Sequence, residues 1–439
     1  MLGLGVTGRA VVRALVDHGE GVVVVDDWPT DAARALAAEV GVELVGRPDR
    51  DALAALVRRA DAVVPSPGVP DHHAIFALAA AADVPVLSEF DLAARWDQRT
   101  QVAITGTNGK TTVTELTRAM LEASGLRAVA VGNTEVPLVA AIADPTIDVF
   151  VVEASSFRLL HSGRYAPDVG TWLNLAPDHL DNHASLEAYT AAKARIWADQ
   201  RPHQVAIGNA DDPVVATHLA DAPGRHVTFG LSGAADHRLV ADRLVLADGS
   251  TLATVDELPR AFPHDLVNAL AAAASTVHGG GSTEGARSAL LAFRGLPHRV
   301  SLVGEAGGVR WFDDSKATAP HATQAALRGF GSVVLIAGGR NKGLDLGALA
   351  HDLDRIRAVV TIGESAEEVA AAFDGRRPVQ RAGSMDEAVA VAAELARPGD
   401  AVLLSPGCAS FDWYGSYAER GDDFVRAVRE HLAGQGVAS

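Results

Sequence analysis

The chain has 439 residues, which at roughly 100–200 residues per domain suggests two to four domains, each large enough to bury its own core. An apolar fraction of 48%, a charged fraction of 21% and a mean hydropathy of +0.12 exclude a disordered chain and fit Ala- and Val-rich α/β domains. A formal net charge of −17 opposes non-specific nucleic-acid binding, and no apolar run reaches the ~18 residues of a membrane span. The start of the chain lacks a basic segment followed by an apolar core, so export is not expected. The single cysteine, Cys408, excludes internal disulfides and multi-Cys zinc sites and agrees with a reducing compartment, the cytoplasm.

In chain order, residues 1–92 alternate apolar strands (21–26, 60–65) with Ala-rich helices (8–18, 30–40), the pattern of βαβ units on a parallel sheet. The opening Gly3-Leu4-Gly5-Val6-Thr7-Gly8 is a G-x-G-x-x-G turn feeding a helix, with Asp26 and Asp27 ending the next strand. Alone, that fingerprint supports an NAD-linked oxidoreductase domain. The apolar strand expected before Gly3 is reduced to Met1-Leu2, so either the chain starts downstream of its true start or its first domain lacks much of its central strand. A second segment, 93–296, has strands at 101–105, 147–153 and 169–174, helices from 111 and over 185–200, and a hairpin near 238–255 with Asp248-Gly249 as its turn. A third, 297–439, repeats the alternation with strands at 332–337, 358–363 and 401–405. The expected fold class is α/β in three domains: Rossmann-like, a central ATP-binding domain of the P-loop type, and Rossmann-like again.

Of the 38 basic residues, 34 are arginine and four are lysine: Lys110, Lys193, Lys316 and Lys342. Guanidinium stays protonated and planar, so lysines kept against such a bias are candidates for chemistry that needs a compact or deprotonatable amine.

The strongest motif is Gly106-Thr107-Asn108-Gly109-Lys110-Thr111-Thr112 between a predicted strand and a predicted helix. Glycines let backbone N–H groups approach a phosphate, the helix N-terminus adds positive potential, the lysine neutralises terminal phosphates and a hydroxyl reaches Mg²⁺. Ile104 stands where the common phosphate loop has its first glycine, so this loop is shorter. Glu153 ends the buried run Val151-Val152-Glu153 and suits Mg²⁺, with Ser155 and Ser156 beside it. His179 and His183 are four apart in the loop after the next strand, but without a third ligand they are not read as a zinc pair.

The run GTNGKTT, the later EASSF, the DHLD loop, the helix lysine and a C-terminal DDSKAT together resemble the Mur ligase family, over essentially the whole chain. The resemblance implies an ATP-dependent carboxylate–amine ligase with UDP-N-acetylmuramoyl-L-alanine and D-glutamate as substrates and Mg²⁺ as cofactor, a monomer with no nucleic-acid or membrane partner. Another Mur-type ligase or a folylpolyglutamate-type ligase remains as the alternative, as does the oxidoreductase. By the family's pattern Lys110, Glu153, His179 and Lys193 are catalytic, with Thr111 and Glu153 on one Mg²⁺ and His179 and Lys193 at a second. Lys193 is carbamylated in that pattern, and only a neutral amine captures CO₂, so arginine could not stand there.

Residues Gly106 to Thr112, with Asn268, Arg299 and Asp314, match nucleotide contacts; Asp265 replaces a second Asn, leaving an adenine contact in question. Gly5, Val6, Thr7, Asp26, Asp27, Ser66, Pro67, Gly68, Asn133, Ser156 and His179 match the UDP-substrate site, which is expected to be weakened if the chain is really as short as its first strand implies. Lys316, Thr318, Lys342, Ser410, Phe411 and Tyr417 match positions that hold D-glutamate, whose two carboxylates call for ammonium and hydroxyl partners.

Overall fold

The computed structural model describes residues 1–178, 183 and 185–434. The chain divides into two compact units, one of Met1–Leu175, Asn182–Leu258 and Val267–Phe293, the other of Ala176–Asp181, Pro259–Leu266 and Arg294–Ser439.

In the first unit, β1 (Val23–Asp26) and β2 (Glu43–Gly46) pair in parallel. Leu2 forms single bridges to Val25 and Pro65, and Val63 bridges Val86. The strand expected over 60–65 is thus reduced to bridging residues, because Leu2, its neighbour in the row, pairs through one residue only. Thr30, expected as the first residue of a helix, caps it instead, its hydroxyl accepting from Ala33 N at 3.2 Å, and Gly41 in the left-handed region ends it. Leu4, Val12, Val24, Ala33 and Leu36 fill one face of this small layer; Leu2, Val25, Leu53, Val57, Val63, Ile75 and Ala79 fill the other.

The same unit carries a nine-stranded sheet: β3 (Thr100–Thr105), β4 (Ala128–Gly132), β5 (Val149–Glu153), β6 (Val169–Trp172), β7 (Val205–Asn209), β8 (Arg225–Gly230), β9 (His237–Val240), β10 (Arg243–Val245) and β11 (Thr251–Thr254). Their order is β11-β10-β9-β8-β7-β6-β3-β5-β4, parallel from β4 to β9 and antiparallel through β10 and β11, with Gly249 at φ +84° in the last turn. Strands β5 and β6 are buried along their whole length, as near-continuous apolar runs in a sheet covered on both faces must be. Ligands of such sheets bind beyond the carboxyl ends of the strands, here the ends of β3, β5 and β6.

The second unit is built on β12 (Ser301–Ala306), β13 (Val309–Asp313), β14 (Val333–Gly338), β15 (Ile356–Ile362), β16 (Val379–Arg381) and β17 (Ala401–Leu404), ordered β12-β13-β17-β14-β15-β16. Only the β12–β13 hairpin is antiparallel. Strand alternation sends Val333, Leu335 and Ala337 into one core and Val334 and Ile336 into another on the opposite face. Among the described residues no helix is long and apolar enough to cross a membrane.

Candidate active site

Strand β3 runs into the loop 106–109 and the helix Lys110–Ala123, the strand–loop–helix expected for a phosphate cradle. Glycine is required twice. A Cβ on Gly106 would approach Leu173 Cβ to 2.9 Å, and one on Gly109, at φ +83°, would meet Asn268 Oδ1 at 2.7 Å. Asn174, just past β6, clamps the loop: its Oδ1 accepts from Thr107 N at 3.1 Å and Asn108 N at 2.8 Å, and its Nδ2 donates to Asn108 O at 3.2 Å. No side chain caps the helix start among the described residues, so its N-terminal N–H groups suit an anion. Lys110 Nζ donates to Gly106 O at 2.8 Å and Thr107 O at 3.0 Å.

Lys193, on the helix Leu186–Ala198, comes to the same place. It is 1% exposed, its Nζ donates to Gly106 O at 2.8 Å and lies 4.5 Å from the Tyr189 ring centroid. Two amines therefore share one carbonyl oxygen. Glu153, at the end of β5, is also buried; its Oε1 accepts from Asn133 Nδ2 at 2.9 Å, while Oε2 has no hydrogen-bond partner among the described residues. A buried carboxylate oxygen left this way fits a divalent cation, which takes oxygen ligands. His179 lies outside the described residues. His183, set aside with it as a zinc pair, binds within the site: its Nε2 is 3.0 Å from Ser156 Oγ and its ring stacks on Phe157.

At the first turn, a Cβ on Gly8 would lie 2.1 Å from Gly3 O, so the fingerprint's third glycine is dictated by helix–turn packing. Ser66 packs on Gly3, while Pro67 is partly buried and Gly68, Gly5 and Val6 are exposed. Both oxygens of Asp26 are committed to backbone, accepting from Leu4 N and Trp28 N at 2.9 Å each, so Asp26 clamps the turn rather than presenting a free carboxylate. Asp27 faces His73 Nε2 at 3.1 Å. Sequence reasoning missed Arg158 and Glu89, a buried ion pair: Arg158 donates to Glu89 Oε1 and, at 3.0 Å, to Thr7 Oγ1, while Glu89 Oε2 accepts from Val139 N at 3.0 Å. Burial pushes the Glu89 carboxyl up against the opposing Arg158 charge.

In the second unit, Asp314 accepts from Ser405 Oγ at 2.7 Å and Val300 N at 3.3 Å. Burial pushes its pKa up to about 7, with the Arg299 charge opposing. Lys316 Nζ sits 3.7 Å from the Tyr417 ring centroid. Arg420, also missed, joins the surrounding loops: its Nε and one terminal nitrogen donate to Ser315 Oγ at 2.9 Å and Ser315 O at 2.8 Å, the other to Cys408 O at 3.1 Å. Ser410 is buried, Thr318 partly buried and Phe411 59% exposed. Lys342 is exposed on the loop after Gly338-Gly339, unlike the other three lysines. Asp265 pairs with Arg260 Nε at 3.2 Å.

Family models match in three blocks: Mur ligase MurD-like, N-terminal domain over 1–88; Mur ligase middle domain over 104–276; and Mur ligase, glutamate ligase domain over 298–408. The chain belongs to the Mur ligase family. As a Mur ligase it is an ATP-dependent enzyme that forms amide bonds, and the oxidoreductase alternative is discarded. A protein of Frankia casuarinae named UDP-N-acetylmuramoylalanine–D-glutamate ligase is 47% identical over 98% of this chain and 93% of its own. One of the same name from Desulfosudis oleivorans is 41% identical over 98% and 95%. The fold is shared with a pseudomurein peptide ligase type C from Methanothermus fervidus (TM-score 0.63, 18% identity, 98% of both chains) and with MurF ligase from Thermotoga maritima (TM-score 0.63, 17% identity, 96% of this chain and 92% of that).

Proposed function

We propose that this Mur ligase joins D-glutamate to the L-alanyl carboxylate of UDP-N-acetylmuramoyl-L-alanine at the expense of ATP, with 1–92 taking the uridine nucleotide, 93–296 ATP and 297–439 the amino acid. The observation that carries the reading is the meeting of Lys110 and Lys193 at Gly106 O. Phosphoryl transfer asks the protein mainly for position and positive charge. On this reading the glycine loop and Lys110 orient the triphosphate, and the substrate carboxylate oxygen attacks its γ-phosphorus, giving an acyl phosphate and ADP. The amine of D-glutamate then attacks the acyl carbon; the tetrahedral adduct loses a proton and expels phosphate, leaving the amide. Lys316, Thr318, Lys342, Ser410, Phe411 and Tyr417 are assigned to D-glutamate, and Arg299, Asp314 and Asn268 to the nucleotide.

The residues fit Mg²⁺: Thr111 and Glu153 would hold one ion, His179 and Lys193 a second, and the ions would neutralise phosphate charge. Lys193 is assigned a carbamate. Two ammonium groups on one oxygen repel each other, whereas an anionic carbamate beside Lys110 turns repulsion into attraction. The reading further assigns a cytoplasmic monomer acting on small molecules, in keeping with a single cysteine.

The test is phosphate release with ATP, Mg²⁺ and UDP-N-acetylmuramoyl-L-alanine. D-Glutamate should stimulate at least about tenfold more than L-glutamate, L-alanine or meso-diaminopimelate, and equal stimulation refutes the amino-acid assignment. In the same assay Lys193→Ala should lose about a hundredfold in rate and regain part of it with formate or acetate. An unimpaired Lys193→Ala removes the carbamate.

A further inference from the structure

We propose that Trp28 is the stacking platform for the base of the nucleotide substrate, with Arg47 held behind it; the inference rests on the assignment of the first segment to a uridine nucleotide. Strand β1 ends at Asp26, and that one carboxylate fixes two things, the glycine turn through Leu4 N and the backbone of Trp28. Trp28 is therefore anchored to the same group as the phosphate turn. Trp28 is 72% exposed, more than any other large apolar residue that stands in solvent among the described residues, such as Val6 at 60% or Phe411 at 59%. The Arg47 guanidinium carbon lies 3.8 Å from the ring centroid, so one face of the indole is covered and the exposure belongs to the other.

Arg47 is not there by default. Its Nε donates to Asp27 O at 2.9 Å and its backbone N to Asp26 O at 3.1 Å, and its φ is +48°, a left-handed conformation that costs a branched-chain or long residue free energy. An indole face left in water is unfavourable in the free protein, and a flat ring on that open face would offset the cost, while the strained Arg47 holds the other face in place. In folds of this type the phosphates lie at the glycine turn while sugar and base run over the carboxyl end of the neighbouring strand, the position of Trp28. Base stacking on an aromatic side chain tolerates any base, so the platform supplies affinity and leaves the choice of base to edge contacts.

Calorimetric titration of UDP into the full chain, with KM for UDP-N-acetylmuramoyl-L-alanine and for ATP, tests this. Trp28→Ala should weaken UDP and raise the sugar-nucleotide KM by about tenfold, leaving the ATP KM and the thermal midpoint unchanged; Trp28→Phe should return to within about threefold of the parent. UDP binding by Trp28→Ala within about twofold of the parent overturns the platform, as does a Phe variant as weak as the Ala one, or an equal loss in ATP KM. A parent protein that does not bind UDP overturns the nucleotide assignment underneath, and the platform with it.

Discussion

Asp314 is a carboxylate whose surroundings work against its charge. Burial, joined by the neighbouring Asp313 charge, lifts its pKa from an ordinary 3.8 to about 7 against the Ser405 hydroxyl, the Arg299 charge and the Val300 amide. The folded pKa is the higher one, so well below pH 3.8 neither state carries the charge and nothing is lost. As pH rises through 4 to 7 the unfolded chain ionises first and stability falls, reaching a plateau above about 7. Asp314→Asn is neutral throughout, so its stability relative to the parent should rise between pH 4 and pH 8 by up to about 4 kcal/mol. Urea midpoints at pH 4, 6 and 8 measure this, and a pH-independent offset contradicts it. At this scale the sequence was legible where residue type and spacing carry chemistry: two of the four scarce lysines, Lys110 and Lys193, reach the same carbonyl oxygen of Gly106. Arg158 and Arg420 were invisible for a physical reason. Where 34 of 38 basic residues are arginine, nothing in the string separates a buried guanidinium from a solvated one.

Gly8, within the helix Val6–Asp17, carries the packing of a whole element. An alanine methyl there would fall 2.1 Å from the Gly3 carbonyl and 2.9 Å from the Met1 side chain, so turn and helix must separate. Gly8→Ala should abolish measurable UDP binding while ATP binding at the central loop persists, and calorimetry with each nucleotide separates the two outcomes. Elements were read most faithfully in the buried parallel sheets, since apolar runs such as those of β5 and β14 have no solvated face to blur them. The first segment was read less well. Its strand at 60–65 is mere bridging, because pairing with Leu2 depends on a neighbour in space that local pattern does not reveal. The turn at Asp248-Gly249 was legible because only a few residues accept that backbone.

At the scale of the molecule, the first unit is stitched across two segments of chain. Val11, Ala14 and Val64 share one core with Phe90, Leu138, Val139 and Trp172, and the Arg158–Glu89 pair crosses the same boundary beside Thr7. Removing one partner of a buried pair strands the other, at a cost of about 3–5 kcal/mol. Arg158→Ala and Glu89→Ala should each lower the unfolding free energy from urea titration by that much, while the double variant should lose clearly less than the sum; additive losses would show that the two side chains act separately.

That stitching limits how freely such a protein can be recombined. A leading segment grafted from a distant relative would have to bring both an acid that neutralises Arg158 and methyls that close the shared core, and where it does not, the exchange requires compensating changes well past the splice point.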